Sequence, residues 1–180
     1  MRSFKTEGIV IKRTNFNEAD RIVTIFTKRN GKIKIKASGV RRITSRRSPH
    51  IEPLNYAIFN LYQGKSMATL IEVDCLEDFS NLKTNLKKMG YAFHVLELID
   101  SLCAENQENL EIFELLDKTL KRISKEEDSK KVIYEFELKL LSLLGFYTHS
   151  EELFAANTQV FIAQLLERKL KTKQIIPQLS

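Results

Sequence analysis

The spacing of apolar positions changes character once along this chain, near Phe79-Ser80-Asn81. Before that point the pattern is that of strands. Gly8-Ile9-Val10-Ile11 is a short apolar run that opens a sheet. Arg21 to Thr27 is β-branched and follows the polar turn Asn15 to Asp20. Asn30-Gly31 is a two-residue hairpin signal. Lys32 to Ala37 then alternates strictly, which puts Ile33, Ile35 and Ala37 on one face of a strand and Lys32, Lys34 and Lys36 on the other. A loop from Ser38 to Pro49 follows. Two more strands are predicted over Asn55 to Tyr62 and Met67 to Cys75, joined by Gln63-Gly64-Lys65. Short strands at this spacing favour a closed barrel, because closure leaves no open edge. A five-stranded OB-fold fits first and an SH3-like barrel second.

After residue 80 the apolar steps become three and four. Leu82, Leu86, Met89, Phe93, Leu96, Ile99 and Leu102 predict one long helix with Ser80 or Asn81 as its N-cap. A second helix carries Leu110, Phe113, Leu116, Leu120 and Ile123. A third carries Ile133, Phe136, Leu140 and Leu143 and stops at Gly145. A fourth is predicted from about Glu151 to Lys171. Ala104 to Asn109 and Ser124 to Ser129 read as short links between antiparallel helices. The expected fold is α+β: a five-stranded OB-fold barrel over residues 1–79, followed by an α-helical domain over 80–180.

Charge sharpens this picture. Residues 1–50 hold fourteen Lys/Arg against three acids, a net +11, whereas residues 81–180 hold fourteen against fifteen, a net −1. An excess confined to one end points to a polyanion, with nucleic acid before an anionic membrane surface. Nine of the basic residues fall between Lys28 and Arg47, a stretch without an acid: Lys28, Arg29, Lys32, Lys34, Lys36, Arg41, Arg42, Arg46 and Arg47, with Arg21 just upstream. These ten are the candidate DNA-binding residues. Lysine offers point charges to phosphate, and arginine adds bidentate contacts and stacking. Tyr56, Phe59 and Tyr62 are candidate stacking surfaces as well as candidate core.

Candidate chemistry is sparse. His50, His94 and His149 have no cysteine or histidine at metal-ligand spacing, and no phosphate-cradling glycine motif or nucleophile elbow occurs. Glu18 and Asp20 alone make a weak case for Mg²⁺. No catalytic residue, metal or cofactor is expected. Cys75 and Cys103 lie in apolar stretches and read as buried thiols of a reducing, cytoplasmic compartment. Neither a secretory leader nor a membrane span is legible.

Several segments in order resemble a known family. Gly8 to Ile11, Asn17-Glu18-Ala19-Asp20-Arg21, Phe26-Thr27 and Gly31-Lys32 are similar to the start of the RecO recombination mediators. Lys36 to Arg42 with Ser45-Arg46 and Pro53 looks like that family's basic signature. Leu70 to Val73 and the helix Phe136 to Phe146 are similar too, so the resemblance runs in register over roughly residues 1–147. It implies an OB-fold with a helical domain. It also implies binding to single- and double-stranded DNA, annealing of complementary strands, and help in loading RecA. The implied protein partners are the acidic C-terminal tail of single-stranded-DNA-binding protein, and RecR. Lys83, Lys87, Lys88, Arg168 and Lys169 are basic residues available to such a tail. The sequence departs from the family in one respect: no cysteine follows Cys103, where many members carry a four-cysteine zinc module. From the residues alone, an RNA-binding OB module in translation or ribosome assembly is the alternative.

Overall fold

A computed structural model describes residues 3–125, 128–146 and 158–166. The described residues form two compact units: residues 3–78 with 104–113, and residues 79–103 with 114–125, 128–146 and 158–166.

The first unit is a closed barrel of order β1-β2-β3-β5-β4, the OB topology expected from the pattern. Its strands are β1 (Ser3–Phe16), β2 (Asp20–Thr27), β3 (Gly31–Ala37), β4 (Tyr56–Tyr62) and β5 (Ala68–Glu77). All neighbours are antiparallel except β3 and β5, which meet through only Ile35↔Ala68 and Lys36↔Thr69. Ile25, Ile33, Ile35, Ala57, Phe59, Leu61 and Leu70 fill the interior. Strand β1 is much longer than the run Gly8–Ile11 suggests. A bulge between Val10 and Lys12 interrupts its alternation. It leaves Ile9, Val10 and Ile11 buried in succession. A short 3₁₀ turn, Ser48–Ile51, ends the basic loop.

The β2–β3 turn has three residues rather than two. Thr27 pairs with Gly31, leaving Lys28-Arg29-Asn30 in the loop. Gly31 takes φ +63°, as a three-residue hairpin asks of its left-handed position. The Thr27 hydroxyl locks this turn by accepting from Asn30 N–H at 2.9 Å and donating to Gly31 O at 2.8 Å.

Residues 104–109 do not simply link helices; they run along the barrel. Asn106 N–H donates to Lys32 O at 2.8 Å, and Glu105 bridges Lys32 in parallel. Phe113 stacks on Phe26 at 6.5 Å and meets Tyr56 edge-on at 5.9 Å. A Cβ at Gly31 would run into the carbonyl of Gln107.

In the second unit the long helix predicted from residue 82 is split. Helix α1 covers Ser80–Lys83 and α2 covers Leu86–Leu102. Asn85 starts α2 afresh, its side chain accepting from Lys88 N–H at 3.0 Å. The buried face of α2 is also displaced from the predicted stripe. It comprises Tyr91, Ala92, His94, Val95, Leu96, Leu98 and Ile99, while Leu86 and Phe93 are exposed. Helix α3 spans Leu110–Lys125, of which residues 114–125 belong to this unit, and α4 spans Ser129–Leu143, capped by Asp128. Gly145 follows α4 in the left-handed conformation, as its place in the sequence predicts. Arg122 of α3 pairs with Glu135 of α4 at 2.6 Å. Helix α5 is described over Thr158–Leu165, and the rest of the helix predicted from Glu151 to Lys171 lies outside the described residues.

His94 and Glu137 are the polar exception in this helical core. Both are essentially fully buried, with His94 Nε2 2.8 Å from Glu137 Oε1. Removing one member takes a hydrogen-bond partner from a buried polar group. Glu137→Ala is expected to cost about 3–5 kcal/mol in urea unfolding, whereas replacing both by leucine is expected to recover most of that. Equal stability of the single variant and the wild type would show that the pair is not a buried polar contact in solution.

Candidate nucleic-acid interface

The register of β1, β2 and β3 decides which predicted residues share a face. Phe26↔Lys32, Thr24↔Lys34 and Ile22↔Lys36 are cross-strand partners, and Lys12↔Thr24, Thr14↔Ile22 and Phe16↔Asp20 continue the row onto β1. The outer face of this three-stranded sheet therefore carries Lys12, Thr14, Phe16, Asp20, Lys34 and Lys36. One end of it is covered. Phe26 and Lys32 are buried beneath residues 104–113, and Lys34 Nζ sits 2.5 Å from Glu105 Oε1. The three lysines of β3 thus do not form one open row, because a segment some seventy residues away covers Lys32 and places a carboxylate against the exposed Lys34.

At the other end of β3 the sheet meets the loop 38–47. Lys36 Nζ is 3.1 Å from Asp20 Oδ2 and 5.7 Å from the centre of the Phe16 ring, a cation–π arrangement. The loop is tied at three places. Asp20 Oδ1 accepts from Gly39 N–H at 2.8 Å. Arg41 donates through its backbone N–H to Ala19 O and through Nη1 to Asn17 O. Arg47 Nη2 donates to Ser38 O at 2.8 Å, and its Nη1 donates to Leu70 O at 3.0 Å and Ile71 O at 3.4 Å. So anchored, the loop borders an open surface hollow of about 510 Å³ lined by Asp20, Ser38, Gly39, Arg42, Thr44, Ser45, Arg46 and Arg47. Arg42 and Arg46 are exposed, and no acid among the described residues pairs with them.

The ten candidate residues therefore separate into groups. Lys36, Arg41, Arg42 and Arg46 lie together at the loop end. Arg47 is adjacent, but its guanidinium is spent on backbone carbonyls. Lys28 and Arg29 sit in the β2–β3 turn, one strand length away, roughly 20 Å for seven residues, and Lys28 Nζ is 3.7 Å from Glu7 Oε2. Lys32 and Lys34 are occupied as described. Arg21 is on the opposite face from the lysines: it pairs with Ala37 and Asn15, and its Nη1 lies 3.9 Å from Glu52 Oε1. Arg13 is paired with the same glutamate. Burial first, then the charge of Arg13, pushes the Arg21 guanidinium below its ordinary pKa, though arginine stays cationic. Phe59 is core, and Tyr56 donates to Glu7 Oε2 at 2.7 Å. The aromatic ring beside the charge is Phe16. Neither Phe16 nor Lys12 is among the residues predicted from sequence, although the period-two pattern of β1 extended past its bulge puts both on this face.

Two family models match the chain. The model described as "Recombination protein O N terminal" covers residues 1–79, and "Recombination protein O C terminal" covers residues 83–161. The chain belongs to the RecO family. Among its relatives, the DNA repair protein RecO of Alkaliphilus metalliredigens is 38% identical over 146 residues, covering 81% of this chain and 59% of the relative. The protein of the same name from Acetivibrio thermocellus is 37% identical over 147 residues, covering 81% and 59%, and that of Symbiobacterium thermophilum is 35% identical, covering 81% and 58%. This RecO-family chain therefore spans rather less than two thirds of the length of these relatives. Among the described residues no cluster of three or more His, Cys, Asp or Glu could hold a metal ion, and no helix is long and apolar enough to cross a membrane.

Asp20 makes the loop's order depend on pH. The Gly39 N–H and then the Lys36 ammonium hold its carboxyl below the ordinary value of 3.8. A carboxylate depressed on folding stabilises the folded form fully above that ordinary value, and the contribution is lost as pH falls through the lower folded one. The protection factor of the Gly39 amide is therefore expected to be constant above pH 3.8, where Asp20 stays ionised, and to fall in stronger acid. Asp20→Ala is expected to remove the protection at neutral pH. Unchanged Gly39 exchange in that variant would show the latch to be unimportant.

Proposed function

We propose that this chain is the DNA-engaging part of a recombination mediator in bacterial DNA repair. In this reading it binds single- and double-stranded DNA, anneals complementary strands, and helps load RecA onto DNA coated with single-stranded-DNA-binding protein. It works by binding alone, in the cytoplasm at the nucleoid. The observation that carries the reading is the anchored loop 38–47. It presents Arg42 and Arg46, exposed and paired with no acid among the described residues, beside Lys36 and Arg41 at one end of an OB barrel, in a chain whose relatives are named DNA repair proteins. Contacts of this kind grip phosphates without reading sequence.

The direct contacts in this proposal are Lys36, Arg41, Arg42 and Arg46, with Phe16 as a stacking surface. Arg47 and Asp20 position the loop. Four phosphate contacts on a single strand give a slope of log K against log salt near about −2.8, at roughly −0.7 each. Replacing Arg42 and Arg46 by alanine is expected to flatten that slope by about 1.4, equally for all base compositions. Thermal stability is expected to stay within about 0.5 kcal/mol of the wild type. An unchanged slope and affinity would remove the loop from the DNA path. Tighter binding of an RNA strand of the same sequence would favour a translation-associated role instead.

The partners proposed are RecR and the acidic tail of single-stranded-DNA-binding protein. For the tail, the helical unit offers a hollow of about 430 Å³ lined by Asn85, Lys87, Lys88, Tyr91, Asp128, Ser129 and Lys130. Lys87 and Lys130 are exposed there, whereas Lys88 Nζ donates to Ser124 O at 2.9 Å. Arg168 and Lys169, also available by sequence, lie outside the described residues. Charge reversal at Lys87 and Lys130 together is expected to weaken binding of an acidic tail peptide by tenfold or more, on the order of 1 kcal/mol per close charge pair. Equal titration curves for wild type and variant would place the tail elsewhere.

A further inference from the structure

Ile43 stands at the apex of the basic loop and is as exposed as an isoleucine can be, at 105% of the reference area. A single exposed apolar side chain is ordinary on a protein surface. The setting of this one is not. Ser45 N–H donates to Arg42 O at 2.9 Å, closing a turn whose two central residues are Ile43 and Thr44. Both are β-branched, at positions where glycine, proline, asparagine, aspartate and serine are the usual choices, so turn formation does not explain Ile43. Burial does not explain it either. The ties of Gly39 to Asp20, of Arg41 to Asn17 and Ala19, and of Arg47 to Ser38, Leu70 and Ile71 hold the loop in place. Between the ties at Arg41 and Arg47 the turn leaves Ile43 outside the core.

What surrounds Ile43 is cationic. Arg41 and Arg42 precede it, Arg46 and Arg47 follow, and Arg42 and Arg46 are exposed. A polyanion drawn to those arginines carries the apex residue in among its phosphates. The apolar surfaces available to it there are the faces of the bases. Apolar side chains set among basic ones do insert between base steps and unstack them.

We propose that Ile43 is a wedge that enters between adjacent bases of a bound DNA strand while Arg42 and Arg46 hold the flanking phosphates. Arginine supplies the grip and isoleucine the unstacking. This gives the interface a way to loosen base stacking without nucleotide hydrolysis or a metal. The inference rests on the DNA-binding reading above and adds a base-contacting element to it.

The test uses the full chain and a single-stranded oligonucleotide containing 2-aminopurine, which brightens when unstacked. The wild type is expected to raise the fluorescence on binding. Ile43→Ser is expected to keep the same salt slope and thermal stability, to lose the rise, and to bind about tenfold more weakly, in line with the worth of one base contact. Ile43→Leu is expected to restore both. A full rise with Ile43→Ser, or salt-dependent binding by the wild type with no rise, would overturn the wedge while leaving the DNA interface standing. Absence of salt-dependent binding by the wild type would overturn both.

Discussion

The candidate interface depends on one guanidinium. Arg47 gathers the carbonyls of Ser38, Leu70 and Ile71 onto a single planar group, fixing the last residue of a loop whose first residues are fixed by Asp20. Arginines on a loose loop would repel one another and lose chain entropy on meeting a polyanion. Here much of that ordering is done within the fold, by hydrogen bonds from one charge to backbone dipoles. Lysine could not take the place of Arg47, since its point charge lacks the fork that spans two strands' worth of carbonyls.

The barrel was legible because its alternation is local. Strand β3 reads directly from Lys32 to Ala37, and the buried set Ile33, Ile35 and Ala37 is as the pattern predicts. Strand β1 was underestimated because the bulge at Ile11 breaks the period of two that marks a strand. Helix α2 was misjudged at its start for a related reason. The apolar stripe runs unbroken through Leu82 and Leu86, and only the capping bond of Asn85 divides it.

Of the candidate site, composition revealed the region but not the roles. Arg46 and Arg47 are the same letter twice, yet one faces water and the other grips carbonyls of β5. Lys32 and Lys36 occupy equivalent positions of one strand, yet Lys32 is covered by residues 104–113 and Lys36 faces Asp20 and Phe16. Nothing near Lys32 in sequence signals that cover, because it comes from a distant stretch whose polar composition reads as a plain connection. Long-range packing, not residue type, sorts these charges.

The meagre ladder between β3 and β5 has a consequence of its own. Only two residue pairs join these strands, and they are the barrel's sole parallel contact. A junction so short is the place where a closed sheet opens first, and an opened sheet bares unpaired strand edges that recruit other chains. The carbonyls that Arg47 occupies, those of Leu70 and Ile71, lie immediately past Thr69, where the ladder stops. The same side chain that steadies the basic loop therefore blunts a sheet edge. One residue thus satisfies carbonyls beside the barrel's shortest ladder and holds the loop that carries the exposed arginines.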